Sequence, residues 1–499
     1  MTLDTIAAIS TGMSHSGIGI IRITGADSFS VIDQIYKGKK LLSKEASHTI
    51  HYGHIVVDGE IVDEVLVSIL RAPRSFTGED TVEIHCHGGT FVVTKVLEVV
   101  LKTGVRAAMP GEFTKRAFLN GKMDLSQAEA VMDVIQAQNE YALKSSLSQL
   151  KGSVKEKIKE IREKIIYHTA FIETALDDPE HISVEGYGET LNKEVKALSQ
   201  ALKILIDSAD NGRVLKEGIQ TVIVGKPNVG KSSLLNVLAG KERAIVTEIA
   251  GTTRDALEEQ IHLDGLSLQI IDTAGIRETA DRIEQLGVDK AVGYVETADL
   301  IIYVVDASRP LDEDDKKIWQ LVHDKRFIVL LNKSDLITVV SKEMLQEAFS
   351  QYHSNEMHQK AFFQKNSGEE FNHQSKALAS KGCESRGLNL LTNNIPMIDV
   401  STKEEEGIEE FSRTLRKMFL KKEFSFNEEV FITNIRQKDA LTQAYQSLQK
   451  VMESITNHLP EDFYSIDLMD AYEALGQITG ESIGEDLINE IFSKFCVGK

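Results

Sequence analysis

The sequence contains few cysteines and no long apolar run. Its three cysteines, Cys86, Cys383 and Cys496, stand in no metal-ligand spacing, so neither a disulfide framework nor a zinc site is predicted. No stretch approaches the roughly 18 apolar residues that a membrane helix needs. The first residues lead into an apolar, strand-like run without a basic region or a cleavage site, so no signal or transit peptide is expected. These absences predict a cytoplasmic protein without a membrane partner.

Positive charge is also in deficit. The chain has 56 lysines and arginines against 76 aspartates and glutamates, a net charge of -20. This balance argues against indiscriminate nucleic-acid binding through a basic surface, although it leaves room for a local basic groove. A chain of 499 residues exceeds what one core supports, so about two to four domains are expected.

The patterning of the chain predicts a multidomain protein. Residues 1–119 resemble short strands around one helix, Gly89–Lys102, which is typical of an α+β domain. Residues 120–217 and 421–499 have helical periodicity, and we expect both segments to form one α-helical domain. Strands are predicted at Thr5–Ser10, Gly19–Thr24, Ile50–Val57, Glu64–Leu70 and Thr81–His85.

Residues 218–420 alternate strands with helices, which predicts a mostly parallel sheet in an inserted α/β domain. A polar stretch at about 339–394 is expected to be a flexible surface insert, with a short helix at Glu343–Phe349 as an alternative. The strands are predicted at Ile219–Val224, Leu268–Asp272, Leu300–Asp306, Phe327–Asn332 and Met397–Val400.

A phosphate-binding loop, GxxxxGK[ST], follows the first of these strands as Gly225-Lys-Pro-Asn-Val-Gly-Lys-Ser232. Its glycines allow the backbone N–H groups to face phosphates, and the next helix adds its positive N-terminus. Lys231 is expected to reach the β- and γ-phosphates, and the Ser232 hydroxyl to bind magnesium. The sequence therefore predicts a P-loop nucleotide site.

Three further motifs follow strands: Asp272 is expected to organise magnesium through water and Gly275 to reach the γ-phosphate, whereas the other two motifs are expected at the base. Asp272-Thr-Ala-Gly275 and Asn332-Lys-Ser-Asp335 each follow a predicted strand, and Ser401-Thr-Lys403 follows another. A carboxylate at Asp335 accepts two hydrogen bonds from the guanine N–H groups, an arrangement that adenine does not offer. The motifs resemble those of the translation-factor-like GTPases, so GTP is predicted over ATP.

The hydrolytic machinery is expected to be less usual. Many GTPases place a water-orienting glutamine directly after the DxxG motif, whereas this sequence has Ile276 there. Gly251–Asp255 is the predicted switch loop, in which Thr253 would complete the magnesium shell. Asn228 fits a cation ligand beside the phosphates, where a positive charge stabilises the transition state, and fits a turn residue equally well.

Over nearly its whole length the chain resembles the MnmE (TrmE) family of bacterial tRNA modification GTPases. The segments that carry this resemblance are Asp4–Ala8, Gly17–Gly25, Ser75–Asp80, Pro110–Asn120, Lys122–Glu129, Gly251–Asp255 and Phe495–Lys499. The resemblance implies a homodimer with a folate-binding-like N-terminal domain that holds 5-formyltetrahydrofolate or a related folate. It also implies a flavin-dependent partner, MnmG, and an aminomethyl-type modification at the 5-position of the wobble uridine of certain tRNAs.

The resemblance further implies roles for individual residues. Arg22, Glu83 and Lys122 correspond to folate contacts, although each alone fits a surface salt bridge. Glu284 corresponds to the residue that positions the attacking water, and Cys496 to a cysteine of the modification chemistry, although an idle thiol fits as well. The implied potassium ligands are Asn228, Thr247, Ile249 and Thr252, and the magnesium ligands Ser232 and Thr253. The expected GTP contacts are Asn228, Val229, Gly230, Lys231, Ser232, Ser233, Thr247, Glu248, Ile249, Ala250, Gly251, Thr252, Thr253, Asp272, Thr273, Ala274, Gly275, Asn332, Lys333, Asp335, Ser401, Thr402 and Lys403.

The chain departs from the family pattern at two places, and two alternative functions remain. The turn Thr11–Gly17 lacks the family's usual proline, and the 65 residues between Asp335 and Ser401 exceed the family norm. A ribosome-assembly or translation-associated GTPase shares the nucleotide motifs but gives no reason for the N-terminal segments or the Cys-Val-Gly-Lys ending. A folate-dependent one-carbon enzyme that acts without MnmG is a third possibility.

Overall fold

The structure, a computed structural model, describes residues 4–178, 180–181, 186–241, 259–271, 295, 297–323, 325–351, 395–419, 430–482, 484–496 and 498. The chain divides into two compact units. Unit 1 comprises Met1–Ala137, Leu143–Asp210 and Val430–Lys499. Unit 2 comprises Gln138–Ala142 and Asn211–Glu429.

The first part of unit 1 is built on a mixed sheet. In the described residues this sheet has seven strands in the order β3-β4-β5-β6-β2-β1-β7. All its pairs are antiparallel except β1 with β7. The strands are β1 Ile6–Ile9, β2 Ile18–Thr24, β3 Tyr36–Gly38, β4 Thr49–Val57, β5 Glu60–Leu70, β6 Thr81–His87 and β7 Arg106–Ala107.

Two helices, α1 (Ser28–Ile35) and α2 (Thr90–Lys102), contribute to the core of this sheet. The inward row of β2 and β6, which includes Ile21 and Val82, is fully buried. A further helix, α3 (Glu112–Leu119), follows β7. The prediction of a single helix in residues 1–119 is therefore wrong, since α1 and α3 accompany α2. The apolar residues of α1 are mostly β-branched or aromatic, and such residues favour strands in sequence.

The remainder of unit 1 is helical. The sequence sets the start of α4 because Asp124 accepts from the Gln127 amide at 2.9 Å, while the Gln127 side chain reaches back to the Asp124 amide at 3.1 Å. This reciprocal capping box satisfies two N–H groups that a helix start leaves open. The helices are α4 Leu125–Gln136, α5 Glu140–Leu150, α6 Ser153–Asp177, α7 Tyr187–Glu217, α11 Ile435–Thr456, α12 Asp462–Thr479 and α13 Glu485–Ser493.

One hydrophobic core joins helices from distant parts of the chain. Ile158 of α6 and Leu198 of α7 pack in the same cluster as Leu441 and Leu475 from beyond residue 430. All four side chains are buried. The segments before and after residues 211–429 therefore share apolar burial, which is the main source of stability for such helices.

Unit 2 contains a second sheet. Its described strands run in the order β13-β12-β11-β8-β10-β9, and all pairs are parallel except β9 with β10. Parallel strands end at one edge, where ligands of open α/β sheets bind. The strands are β8 Ile219–Val224, β9 Glu259–Leu263, β10 Leu266–Ile270, β11 Leu300–Asp306, β12 Phe327–Asn332 and β13 Met397–Val400.

Helices α8 (Lys231–Lys241), α9 (Glu313–Val322) and α10 (Ile408–Phe419) accompany this sheet. Residues 342–351 form one more helix, and its Phe349 ring stacks on Trp319 at 3.8 Å between centroids. The expectation of a flexible surface insert at 339–394 is therefore wrong for its first part, where Val340, Leu345 and Phe349 are buried, and the alternative of a short helix at Glu343–Phe349 is confirmed. Residues 352–394 lie outside the described part of the chain. In that described part, no helix combines the length and the apolar character that crossing a membrane requires.

Candidate functional site

The phosphate-binding loop connects the end of β8 to the start of α8. Gly225 and Gly230 have φ angles of +152° and +103°, which residues with a Cβ rarely adopt. A Cβ on Gly230 would lie 2.1 Å from Asn332 Nδ2, and one on Gly225 would lie 2.4 Å from the Val304 carbonyl oxygen. Only glycine fits at these two positions. Asn228 is exposed and left-handed, with a φ of +63°.

Lys231 closes this loop on itself. Its Nζ donates to the carbonyl oxygens of Gly225 and Lys226, both at 2.7 Å. Burial lowers the pKa of the Lys231 ammonium, because removal from water penalises the charged form. Ser232 and Ser233 are exposed at the start of α8. The loop therefore presents an ammonium and two hydroxyls at a helix N-terminus, a set suited to phosphate and magnesium.

Asn332, at the end of β12, connects this loop to the segment after β13. Its Nδ2 donates to the Val229 carbonyl at 2.7 Å, and its Oδ1 accepts from the Thr402 amide at 3.1 Å. Asp335 accepts from the Ser401 hydroxyl at 2.8 Å through Oδ1. The structure therefore brings together the predicted phosphate-binding and guanine-binding residues at one edge of the sheet.

Asp306, at the end of β11, is a site residue that the sequence reasoning missed. Lys333, which is left-handed with a φ of +66°, donates to Asp306 Oδ2 at 2.6 Å. Burial favours the neutral form of Asp306, but hydrogen bonds from Lys333 and Ser308 outweigh it and lower the pKa of the carboxyl group. Its position at the carboxyl end of a parallel strand was the available signal. Lys403 instead lies exposed and pairs with Glu404 at 3.3 Å.

A second candidate site lies in unit 1, on the face of the sheet opposite α1 and α2. Arg22 and Glu83 are directly paired across β2 and β6, and Arg22 Nε donates to Glu83 Oε1 at 2.9 Å. The guanidinium lies over the rings of Phe76 and Phe113, 5.7 and 5.6 Å from their centroids. Lys122 donates to the Pro73 carbonyl at 3.0 Å instead. The predicted folate residues are thus a tight Arg22–Glu83 pair and a separately anchored lysine.

The segment after α13 reaches this second site. The Cys496 carbonyl accepts from the Gly111 amide at 3.2 Å. The Gly498 carbonyl accepts from Arg22 Nη1 at 3.3 Å and from the Ser10 hydroxyl at 3.2 Å. The Cys496 residue is exposed. The main chain of Gly498 therefore supplies an oxygen to the arginine of the second site.

Comparison with known proteins identifies the family. The profile of the MnmE helical domain matches residues 125–496, and that of the GTP-binding protein TrmE N-terminus matches residues 5–122. The chain belongs to the MnmE family of tRNA modification GTPases. The MnmE of Lachnoclostridium phytofermentans is 53% identical over 502 residues, which covers 100% of both chains. That of Acetivibrio thermocellus is 45% identical over 498 residues, which covers 99% of each.

A solved structure also matches this MnmE-family chain. The G domain of the T. maritima FeoB iron transporter is 20% identical and covers 40% of this chain and 97% of that chain, with a TM-score of 0.23. So low a score carries no structural argument. Membership of the MnmE family therefore rests on the sequence matches, which span the whole chain.

Part of the predicted nucleotide site of this MnmE-family chain falls outside the described residues. This holds for the switch loop, for the DxxG motif and for Glu284. The predicted residues concerned are Thr247, Glu248, Ile249, Ala250, Gly251, Thr252, Thr253, Asp272, Thr273, Ala274, Gly275 and Glu284. Their roles stay predictions.

Proposed function

We propose that this protein hydrolyses GTP in the cytoplasm as part of tRNA wobble-uridine modification. Identity of 53% over the full length of a relative named tRNA modification GTPase MnmE carries the proposal. The nucleotide site of unit 2 supports it, since Lys231, Asn332 and Asp335 lie at one edge of the sheet in hydrogen-bonded positions. The nucleotide is GTP, with Asp335 facing the guanine and Lys231 the phosphates.

Magnesium and potassium would complete this site. Ser232 would bind magnesium together with Thr253, and the exposed Ser232 at the start of α8 is a hard oxygen ligand of the kind magnesium accepts. Potassium would be held by Asn228, Thr247, Ile249 and Thr252, and would supply positive charge where the transition state gains negative charge. Glu284 would orient water in place of the glutamine that Ile276 replaces.

Steady-state GTP hydrolysis in potassium and in sodium buffers of equal ionic strength tests the cation. We expect faster hydrolysis in potassium, and we expect Asn228→Ala to remove the difference between the two salts. Asn228→Gly is the matched control, because glycine accepts the φ of +63° at this position and also lacks the carbonyl ligand. Equal rates of the unmodified protein in both salts would contradict potassium activation while leaving GTP hydrolysis in place.

The second site would hold a formyl-tetrahydrofolate. The Arg22–Glu83 pair offers a cation for anionic or carbonyl groups and a carboxylate for a pterin N–H edge. Lys122 would reach the ligand from its position beside Pro73. Isothermal titration calorimetry tests this assignment by measuring the affinity of 5-formyltetrahydrofolate for the unmodified protein and for Arg22→Met. Equal affinity of both proteins would remove Arg22 from the site.

A homodimer is the proposed assembly, and the same face of the sheet supports it. Ile50 lies in the cross-strand row of Glu83 and Arg22, and Tyr52 and Leu66 form part of the next row. Their side chains are 63%, 58% and 45% exposed. Neighbouring exposed apolar residues on one sheet face are typical of an interface. Light scattering on Leu66→Glu is expected to give a monomer where the unmodified chain gives a dimer.

The proposed modification needs the flavin-dependent MnmG and places an aminomethyl-type group at the 5-position of the wobble uridine. Nucleoside analysis of tRNA from a deletion strain tests it, with Cys496→Ser and Lys231→Ala as complementing variants. Loss of the 5-substituted uridine on deletion, and its return with the unmodified gene, is the expected result. Intact modification together with ribosome co-sedimentation would favour the ribosome-associated alternative.

A further inference from the structure

The phosphate-binding loop has a second lysine, Lys226, and its side chain is bound by two carboxylates. Lys226 Nζ donates to Asp315 Oδ2 at 2.6 Å and to Asp312 Oδ2 at 2.9 Å. Both carboxylates belong to the start of α9. The Lys226 side chain is 17% exposed and that of Asp315 only 2%. This ion pair is therefore largely removed from solvent, where such contacts are stronger than on the surface.

Asp315 is fixed from several directions. Besides Lys226, its carboxylate accepts from the Asp312 amide at 2.9 Å and from the Tyr303 hydroxyl at 3.1 Å. The Asp312 side chain in turn caps α9 by accepting from the amides of Asp314 and Asp315 at 3.0 and 3.3 Å. The positive end of the helix favours carboxylates here. Asp315 thus presents a rigid anion to the loop.

The main chain of Lys226 contacts the side chain of Lys231. The Lys226 carbonyl accepts from Lys231 Nζ at 2.7 Å, so one residue connects the buried carboxylate to the phosphate-binding lysine. Burial opposes the charge on Lys226, but the hydrogen bonds that its ammonium donates to Asp315 and Asp312 outweigh this effect and raise the pKa of Lys226. Lys226 therefore stays charged, neutralised by α9, and Lys231 is left as the loop's cation for phosphate.

We propose that Asp315 is a positioning residue for nucleotide binding: through Lys226 it fixes the first half of the phosphate-binding loop in the conformation that receives the phosphates. The inference rests on the proposed GTP-binding function and adds a residue from α9 to it. The residue does not touch the nucleotide. Its effect is to reduce the conformational freedom that the loop loses on binding, a cost that otherwise weakens affinity.

The test measures the affinity of fluorescent GDP and GTP analogues for the full chain carrying Asp315→Asn. Because Asp315→Asn removes the charge from this contact and loosens the loop, it is expected to raise the dissociation constants of both nucleotides by about tenfold, which is about 1.4 kcal/mol. The rate of hydrolysis at saturating GTP should stay within about twofold, because only binding is affected. Lys226→Arg retains the ion pair and should retain the affinity, whereas Lys226→Met should match Asp315→Asn.

Asp314→Asn is the matched control, since Asp314 lies in the same helical turn, 66% exposed, and pairs with Lys317 at 2.9 Å. It should bind nucleotide like the unmodified protein. A merely structural role of Asp315 would lower the number of binding sites per chain without changing their affinity, so titrated stoichiometry separates the two roles. In the double variant Asp315→Asn with Lys226→Met, the losses should not add.

The outcomes are distinguishable. Unchanged affinity of Asp315→Asn in a protein that otherwise binds GTP would overturn the positioning role alone. Additive losses in the double variant would overturn it as well, because they would show that the two residues act independently. Absence of GTP binding by the unmodified protein would instead refute the proposed function from which this inference starts.

Discussion

Gly498 lies where no other residue fits, which makes it a sharp probe of the second site. Its φ is +93°, and an added Cβ would lie 2.2 Å from the Ile9 carbonyl oxygen. The Gly498 carbonyl accepts from Arg22 and from Ser10. Gly498→Ala is therefore expected to displace residue 498 from the sheet.

The magnitude follows from the lost interactions. A left-handed backbone costs a residue other than glycine about 1–2 kcal/mol. The hydrogen bond from the Ser10 hydroxyl contributes about 0.5–1.5 kcal/mol, and the one from the charged Arg22 about 1.5–3 kcal/mol before solvent weakens it. A total of about 3 kcal/mol raises the opened population of this residue by about a hundredfold. Global stability changes less, because the opening is local.

Hydrogen exchange followed by mass spectrometry reads this opening at Gly111, whose amide donates to the Cys496 carbonyl at 3.2 Å. Peptides that contain Gly111 should exchange faster in Gly498→Ala. Gly59→Ala is the control, because Gly59 has a similar φ of +84° with open space around its Cβ position. Equal protection of Gly111 in Gly498→Ala and in the unmodified chain would show that the Gly498 backbone does not hold the Cys496 carbonyl against Gly111.

Three further predictions concern other residues. Asn332→Ala leaves the Val229 carbonyl and the Thr402 amide without their side-chain partner. Each unsatisfied group costs about 1–3 kcal/mol of stability, so the midpoint of urea denaturation should fall. An unchanged midpoint would contradict the bridging role. Burial raises the pKa of the Cys86 thiol to about 11, whereas Cys496 is exposed. In a Cys383→Ser background, a thiol reagent at about pH 8 should therefore label Cys496 first. Comparable labelling of Cys86 in peptide mapping would contradict this prediction. Burial lowers the pKa of His168 below its usual 6.5. As the pH falls through 6.5, the unfolded chain therefore binds the proton first and the stability of the folded protein declines. His168→Gln should weaken the pH dependence of the melting temperature, and an identical pH dependence in this variant would contradict the prediction.

The nucleotide motifs were predictable because each is local in sequence and follows a strand. The positions of Lys231 and Asn332 depend only on the preceding strand and the few residues that follow it. Because the strands are parallel, their carboxyl ends then lie at one edge of the sheet. Asp315 was not predictable in this way. It belongs to the acidic run Asp312-Glu-Asp-Asp315, and a contact with Lys226, 89 residues away, determines which of these acids is buried.

The unpredicted helices have a similar explanation. In α3 the fully buried side chains include Arg116, which is 1% exposed and pairs with Glu79 and Glu112. Hydrophobic periodicity counts an arginine as polar, so a helix that buries one loses its signal. At residues 342–351 a helix was one of two expectations, because the polar composition there hides the few apolar residues, such as Phe349, that reach Trp319.

The bond between Ser10 and Gly498 spans 488 positions of the chain. During synthesis, the sheet formed by residues 6–107 can pair its strands long before residue 498 has left the ribosome, because domains generally fold as they emerge. The Arg22 guanidinium therefore lacks the Gly498 carbonyl as a partner until residue 498 has been translated. A chain that stops before residue 498 would carry a folded N-terminal sheet and a second site without this main-chain oxygen.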